Sequence, residues 1–273
     1  MELTAKERRI LEANKKYWAT ERFAKAQARL TQKNIRQIEK KLADYYAKTM
    51  EFVIRDFEFT HEKILNAMDN GKKPTPADLY KLDRYWEMQG QLKRELQKLG
   101  DKQILLLSKE FEKEWGDIYD LISLPSGRAF STIADTNAAQ MINAIWCADG
   151  KSWSERVWGN TKRLQDALND GLIEILLGGK TTKELKQKLK EEFEVSFSRA
   201  DALVRTEMNY IQTQSALQRY KDAGITEVEI LADKDERRCE ICGKLHKTRY
   251  NINGAIPVPA HPRCRCIIIP VIE

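Results

Sequence analysis

The sequence predicts a mainly α-helical protein: long N-terminal helices, a helical middle, and a small α+β module at the C-terminal end that is β-rich and bears Cys and His. Three observations predict it. Met1 to Asn70 contains neither Gly nor Pro, the two residues that most strongly interrupt helices. Charged residues reach 32% against 42% apolar, a balance that suits solvated helices with one buried stripe. After Gly224 the pattern changes: β-branched, alternating stretches appear, and four of the five cysteines and two of the three histidines fall between 239 and 266. A length of 273 residues allows one or two domains.

In chain order, the first 70 residues permit one unusually long helix. Ile35, Ile38, Leu42, Tyr45, Thr49 and Phe52 follow a 3-4-3-4-3 spacing, the seam of a coiled coil or of a helix packed along a partner. Trp18 and Phe23 are large apolar residues in a charged setting and need something to bury against. This chain's own later helices are the simplest candidate. The stretch NGKKPTPADLY (70–80) breaks the pattern. Thr75 can cap, Pro76 suits a first helical position, and Asp78 favours the positive helix end. A second helix is expected from Ala77 to Leu99, stopping at Gly100. A third, DKQILLLSKEFEKEW, should stop near Gly116, unless the two form one kinked helix. LPSGR (124–128) reads as a turn and sets the expected boundary between an elongated helical region, 1–124, and a C-terminal domain, 125–273. That domain divides into a helical part, 125–223, and the module, 224–273.

In the second half, Ile133, Met141 and Ile145 have helical spacing, with Cys147 at the end as an expected buried thiol. A helix over 151–179 is expected to be capped near Ser152 and closed by Gly178 and Gly179, with Gly159 and Gly171 permitting close packing. Thr181 and Glu184 have capping-box spacing, and Ser198 and Asp201 are placed similarly before a further helix that stops at Gly224. TEVEILA (226–232) and RCIIIPVI (265–272) read as strands.

The net charge of +6 is unevenly placed. Residues 1–50 hold 13 Lys/Arg against 6 Asp/Glu, whereas the other 223 residues hold 34 against 35. Arg8, Arg9, Lys15, Lys16, Arg22, Lys25 and Arg29 are therefore candidates for contact with nucleic acid or an acidic protein surface. The alternative is a lysine-rich solvated face. No run of about 18 apolar residues suggests a membrane span. MELTAKERRI lacks a signal-peptide core, so a cytosolic start is expected, where paired cysteines favour metal or redox chemistry over disulfides. There is no Gly-rich phosphate loop, no nucleophile elbow and no carboxylate cluster with metal spacing, so an enzyme is not expected.

Cys239-x-x-Cys242 followed by Gly243-Lys244 has the form of a zinc knuckle, with the glycine expected to relieve the turn. His261, Cys264 and Cys266 follow at a sensible loop length, and Cys264 and Cys266 would share a face if 264–269 is a strand. Five candidates compete for four places around a structural Zn2+, with His246 a weaker sixth. A metal would stabilise so small a module. Disulfides formed outside a reducing compartment, or buried thiols without a metal, are the alternatives.

Upstream lies RTEMN (205–209). Arg205 and Glu207 point to different helix faces and could each anchor a piece of the module. Arg205-Thr206-Glu207, an Ala/Gln-rich helix, a strand ending near an Asp, Cys239-x-x-Cys242, a His, a Pro-rich stretch and His261-Pro262-x-Cys264-Arg265-Cys266 occur in one order. Together they resemble the MuF-type phage head-morphogenesis family, the minor capsid proteins of tailed phages, over residues 130–270 and most strongly over 199–270. The resemblance implies a structural role for the 125–273 domain: a virion component inside the capsid near the portal, made in the host cytoplasm, with portal protein, capsid or scaffold proteins and packaged double-stranded DNA as partners, and a part in head assembly, DNA packaging or ejection. It also implies Arg205, Thr206 and Glu207 as a structural motif. Some members carry an additional toxin or enzyme domain, and none is expected here. Two other readings stand against it. One is a metal-dependent HNH-like nuclease using Asn253 and His261. The other is a DNA-binding zinc protein, which the 9 basic and 8 acidic residues of 221–273 disfavour.

Overall fold

The structure is a computed structural model. It describes residues 4–67, 75, 83–123, 134–178, 181–233, 235–236 and 238–272. Its helices are α1 (Ala5–Trp18), α2 (Glu21–Ala67), α3 (Asp83–Ser123), α4 (Ala134–Ile142), α5 (Trp153–Gly178), α6 (Thr182–Asp222) and α7 (Glu240–Leu245). Three strands, β1 (Glu227–Leu231), β2 (Arg249–Asn251) and β3 (Ile267–Pro270), form an antiparallel sheet in the order β2-β1-β3. The helical chain and the small C-terminal sheet are as the sequence predicts, and β2 is an addition to it.

Two interruptions differ from expectation. The Gly- and Pro-free segment breaks after Trp18, where Thr20 caps α2: its hydroxyl donates to the Tyr17 carbonyl at 2.7 Å and accepts from the Phe23 amide at 3.2 Å. Conversely, α3 runs through Gly100 and Gly116 and α6 runs through Ser198 and Asp201 without a break. The start of the second helix at Ala77, the residues Pro76 and Asp78, and the turn at 124–128 lie outside the described residues. At Thr181 the capping box is present, with the Glu184 carboxylate accepting from the Thr181 amide at 2.8 Å. Gly224, at φ +73°, ends α6. There the Ile225 amide reaches the Tyr220 carbonyl at 3.0 Å and the Gly224 amide reaches Lys221 at 2.9 Å, the pair of bonds of a Schellman motif.

The chain forms two compact units. One comprises Glu39–Leu106 and Ser154–Asp201. Its core is a set of helical stripes: Tyr46, Val53, Phe57 and Ile64 from α2; Met88, Leu92, Leu96 and Leu99 from α3; Leu164, Leu168, Leu172 and Ile175 from α5; Leu185, Leu189 and Phe193 from α6. The 3- and 4-residue spacings place each set on one helix face. Gly100 is required here, because a Cβ would lie 2.3 Å from the Trp158 ring. Asn160 donates to the Tyr46 hydroxyl at 3.1 Å and the Ser196 carbonyl at 2.9 Å, satisfying polar groups inside that core.

The other unit comprises Met1–Ile38, Leu107–Trp153 and Ala202–Glu273. Its core joins Trp18 and Phe23, Ile118 and Ile122 of α3, Leu217 and Tyr220 of α6, and the sheet residues Val228, Ile230 and Ile268 to Cys242, Cys264 and Cys266. Trp18 and Phe23 thus bury against this chain's own later elements. A fully buried Arg219 lies over Trp18, 5.5 Å from the ring centroid, and its Nε donates to Ser123 Oγ at 2.9 Å. Buried Glu114 accepts from Thr31 at 2.5 Å and Asn34 at 2.6 Å. Burial raises its pKa to about 7, more than these hydrogen bonds lower it.

Candidate metal centre

Two short pieces of backbone deliver the Cys and His residues. Cys239 is the N-cap of α7, its sulfur accepting from the Cys242 amide at 3.3 Å. One helical turn then brings Cys242 beside it. Gly243 sits inside α7 without positive φ. The left-handed residue after the helix is Lys247, at φ 66°, so the turn expected of the glycine falls four residues later. The second piece is the turn His261–Cys264, closed by the Cys264 amide on the His261 carbonyl at 3.1 Å. Pro262 takes the position that favours proline. Arg263 takes the next with φ 62°, where Gly or Asn is the usual residue. β3 begins only at Ile267, so Cys264 and Cys266 lie on the irregular segment before the strand, both buried, with half-exposed Arg265 between them.

The side chains converge. His261 Nε2 lies 3.2 Å from Cys239 Sγ and 3.0 Å from Cys242 Sγ, and Cys242 Sγ lies 3.9 Å from Cys264 Sγ. Two triplets have ligand atoms mutually within 4.8 Å: Cys239, Cys242 and His261, and Cys242, Cys264 and Cys266. Cys242 belongs to both. A cavity of about 30 Å³ is lined by Cys239, Cys242, His261 and Cys266, room for one small occupant. Tetrahedral zinc with Zn–S near 2.3 Å would set sulfurs roughly 3.8 Å apart, close to the Cys242–Cys264 separation. Soft thiolates with one imidazole are the donor set of zinc or an iron–sulfur centre.

The thiols are electrostatically unequal. A hydrogen bond from Cys266 lowers the Cys264 pKa to about 5, and the same bond with burial raises that of Cys266. Burial pushes Cys242 up to about 12, whereas the Cys242 amide lowers Cys239. At His261 burial opposes the charge, but the Pro262 carbonyl and the neighbouring thiols outweigh it and raise the pKa. A bound cation would displace the protons from Cys242 and Cys266 and remove this asymmetry.

α6 and β1 hold the cluster. Thr206 Oγ1 donates to the Ala202 carbonyl at 2.6 Å and accepts from the Arg263 amide at 3.0 Å, fixing the turn that presents His261 and Cys264. Asn209 donates to the Cys266 carbonyl at 2.9 Å. Buried Glu207 accepts from the Trp146 indole at 3.0 Å, and that indole stacks on Tyr210 at 4.5 Å. Arg205 lines a cavity beside the His261–Arg265 segment. Arg265 clamps Asp235 through two 2.6 Å bonds and reaches Asp233 at 3.0 Å, tying the exit of β1 to the Cys264–Cys266 segment. His246 is used otherwise, since its Nδ1 accepts from the Ala232 amide at 3.2 Å. Cys147 is half-buried rather than buried, in the loop after α4 ends at Ile142.

The residues that hold this cluster lie in the segment with recognisable relatives. Residues 162–269 match the family described as Phage Mu protein F like protein. The Phage Mu protein F like match takes in the later part of α5, all of α6 and the module as far as β3, and it supports, at family level, a role in phage head morphogenesis as a minor capsid protein. It is a structural family, consistent with a chain that is not an enzyme, and it sets the expected context as virion assembly with capsid-related partners. No curated protein and no solved structure matches the chain. Among the described residues no helix is long and apolar enough to cross a membrane. Of the basic candidates, Arg8, Arg9, Lys16, Arg22, Lys25 and Arg29 are exposed, and the side chain of Lys15 lies outside the description.

Proposed function

We propose that this chain is a minor capsid protein of a tailed phage, held at the portal vertex inside the head and acting in head assembly and in DNA packaging or ejection. The observation that carries this reading is the Cys/His cluster tied to the Thr206 turn within the segment that matches the family. In this reading the cluster binds one structural Zn2+ through Cys239, Cys242, His261 and one of Cys264 and Cys266. The exposed basic residues of α1 and α2 meet portal protein, scaffold or packaged DNA.

A nuclease needs an open metal position and a base facing a phosphate. Here His261 Nε2 lies between two thiols, which favours a closed structural site.

The test is co-purification from infected cells with crosslinking. The protein is expected to remain with DNA-filled heads and to crosslink to portal protein. Loss from purified heads, or crosslinks only to proteins outside the head, would overturn the assignment. Deleting residues 1–70 is a poor probe of the basic arm, because it removes Trp18 and Phe23 from the module's core. Replacing Arg8, Arg9, Arg22, Lys25 and Arg29, all exposed, with Gln leaves Trp18 and Phe23 in place and is expected to isolate the charge.

A further inference from the structure

A cavity of about 550 Å³ lies between α2, α6 and the His261–Arg265 segment, within the size range of ligand pockets. Two carboxamides of α6 line it. Asn209 and Gln212 are 5% and 3% exposed, and Asn209 Oδ1 and Gln212 Nε2 are buried with no hydrogen-bond partner among the described residues. Buried polar groups in folded proteins are nearly always paired. One of these atoms accepts and the other donates, so the occupant that satisfies both offers a donor beside an acceptor. A simple anion or a simple cation does not. The two residues stand at i and i+3 on one helix face, with Cβ atoms roughly 5–6 Å apart. In an extended chain the N–H and C=O of one residue point to the same side, so a single residue of such a segment answers both carboxamides.

Two further observations narrow the occupant. The first is the wall. Ile35 and Ile267 give it an aliphatic lining, and no Phe, Tyr or Trp is among the described residues around it. The imidazole of His261 is held between two thiols. A nucleobase also carries donors beside acceptors, but it would find no large aromatic face to stack on here. The second is charge. Exposed Arg36 lines the cavity, and residues 22–38 of α2 hold five Lys/Arg and no Asp or Glu. Those five, Arg22, Lys25, Arg29, Lys33 and Arg36, are all exposed at spacings of three and four residues, which places them along one helix face. The other arginines of the wall, Arg205, Arg263 and Arg265, are engaged within the protein.

We infer that this cavity receives an extended, acidic polypeptide segment of a partner protein. Asn209 Oδ1 accepts from the backbone N–H of one residue of that segment, and Gln212 Nε2 donates to its carbonyl. Ile35 and Ile267 meet aliphatic side chains, and Arg36 with the cationic face of α2 holds the carboxylates. Main-chain bonds supply affinity, and the charges supply specificity. The site is independent of the head-protein reading.

An acetylated, amidated random hexapeptide library, panned on the immobilised full-length reduced protein and sequenced, tests it. Peptides with two or more Asp or Glu are expected to be enriched. In calorimetry the leading peptide is expected to bind Arg36→Gln about tenfold more weakly than the wild type, and Gln212→Met about fivefold more weakly. Gln212→Met removes a buried unpaired amide with little change of shape, so its thermal midpoint should equal or exceed that of the wild type. That separates a binding role from a structural one. Methylation of the peptide's backbone nitrogens, scanned one at a time, should abolish binding at one position. No enrichment over a blank surface, enrichment without acidic residues, or unchanged affinity in either folded variant would each overturn the assignment. So would a ten-nucleotide single strand that binds more tightly than the leading peptide and is weakened by Gln212→Met.

Discussion

Cys242 is the thiol common to both metal-capable triplets and is itself buried, so its loss should cost the most. Purified under reducing, chelator-free conditions, the protein is expected to carry about one zinc per chain. Cys242→Ser should abolish it, whereas His246→Ala, whose ring bonds the Ala232 amide, should leave the metal content unchanged. Whichever of Cys264→Ser and Cys266→Ser retains metal identifies the bystander. A Zn:protein ratio near zero in the wild type would end the metal reading. Glu114 supplies a second test. Its folded pKa of about 7 stands above the ordinary carboxyl value of 4.5, so the folded state holds the proton more tightly. The group's stabilising contribution is complete below pH 4.5 and is lost as pH rises through 7. The wild type should therefore gain about 3 kcal/mol relative to Glu114→Gln on going from pH 7.5 to below 4.5, read from denaturant midpoints of the two proteins at each pH. Parallel midpoint curves would refute it. At this scale the sequence was partly legible. The ligand candidates were visible as residue types at metal spacing, but Glu114 was one acidic residue among 41, and only its three-dimensional neighbours single it out. Thr206 was visible as part of a motif, while its task depends on Arg263 adopting positive φ.

Helices were legible as elements and misread at their glycines. Gly100 and Gly116 read as stops, with one kinked helix as the alternative at Gly100; α3 runs through both, so the single-helix alternative holds at Gly100 and the stop at Gly116 does not. A glycine costs a helix only about 1 kcal/mol, which tertiary packing readily offsets. The two positions should respond oppositely to Ala. Gly100→Ala forces a methyl into the Trp158 ring and should destabilise by roughly 1–3 kcal/mol. Gly116→Ala meets nothing within 4 Å and should stabilise by up to about 1 kcal/mol. Thermal unfolding of the two variants checks both signs, and a stabilised Gly100→Ala would refute the packing argument. The seam of α2 shows a related drift. Ile35, Ile38, Leu42 and Thr49 are buried as the 3-4 pattern predicts, but Tyr46 and Val53 take the deepest places in the stretch where Tyr45 and Phe52 were expected, and those two are half-buried. Thr31, Leu42, Val53 and Ile64 are all buried and recur every eleven residues, nearer the period of a straight helix than the heptad's 3.5. Six positions between residues 35 and 52 were too few to separate the two periods.

For the whole molecule, the strongest consequence lies in what closes the module's core. The last 50 residues carry the motifs, but Trp18 and Phe23 complete their apolar interior together with α3 and α6. A heads-binding assay with the five-residue Arg/Lys→Gln variant should therefore show reduced incorporation at unchanged stability, whereas truncation before Phe23 should lower stability itself. Unchanged incorporation by the charge variant would remove the basic arm from the interaction. The same feature imposes an order on biosynthesis. Trp18 leaves the ribosome roughly 200 residues before the strands that cover it, and chain growth at about 5–20 residues per second leaves it waiting for some tens of seconds. During that interval the N-terminal helices carry an unsatisfied apolar face, and the emergence of β3 ends it. A ribosome stalled at Gly224 should thus display a chaperone-binding nascent chain that one stalled well past Glu273, with a linker filling the exit tunnel, does not.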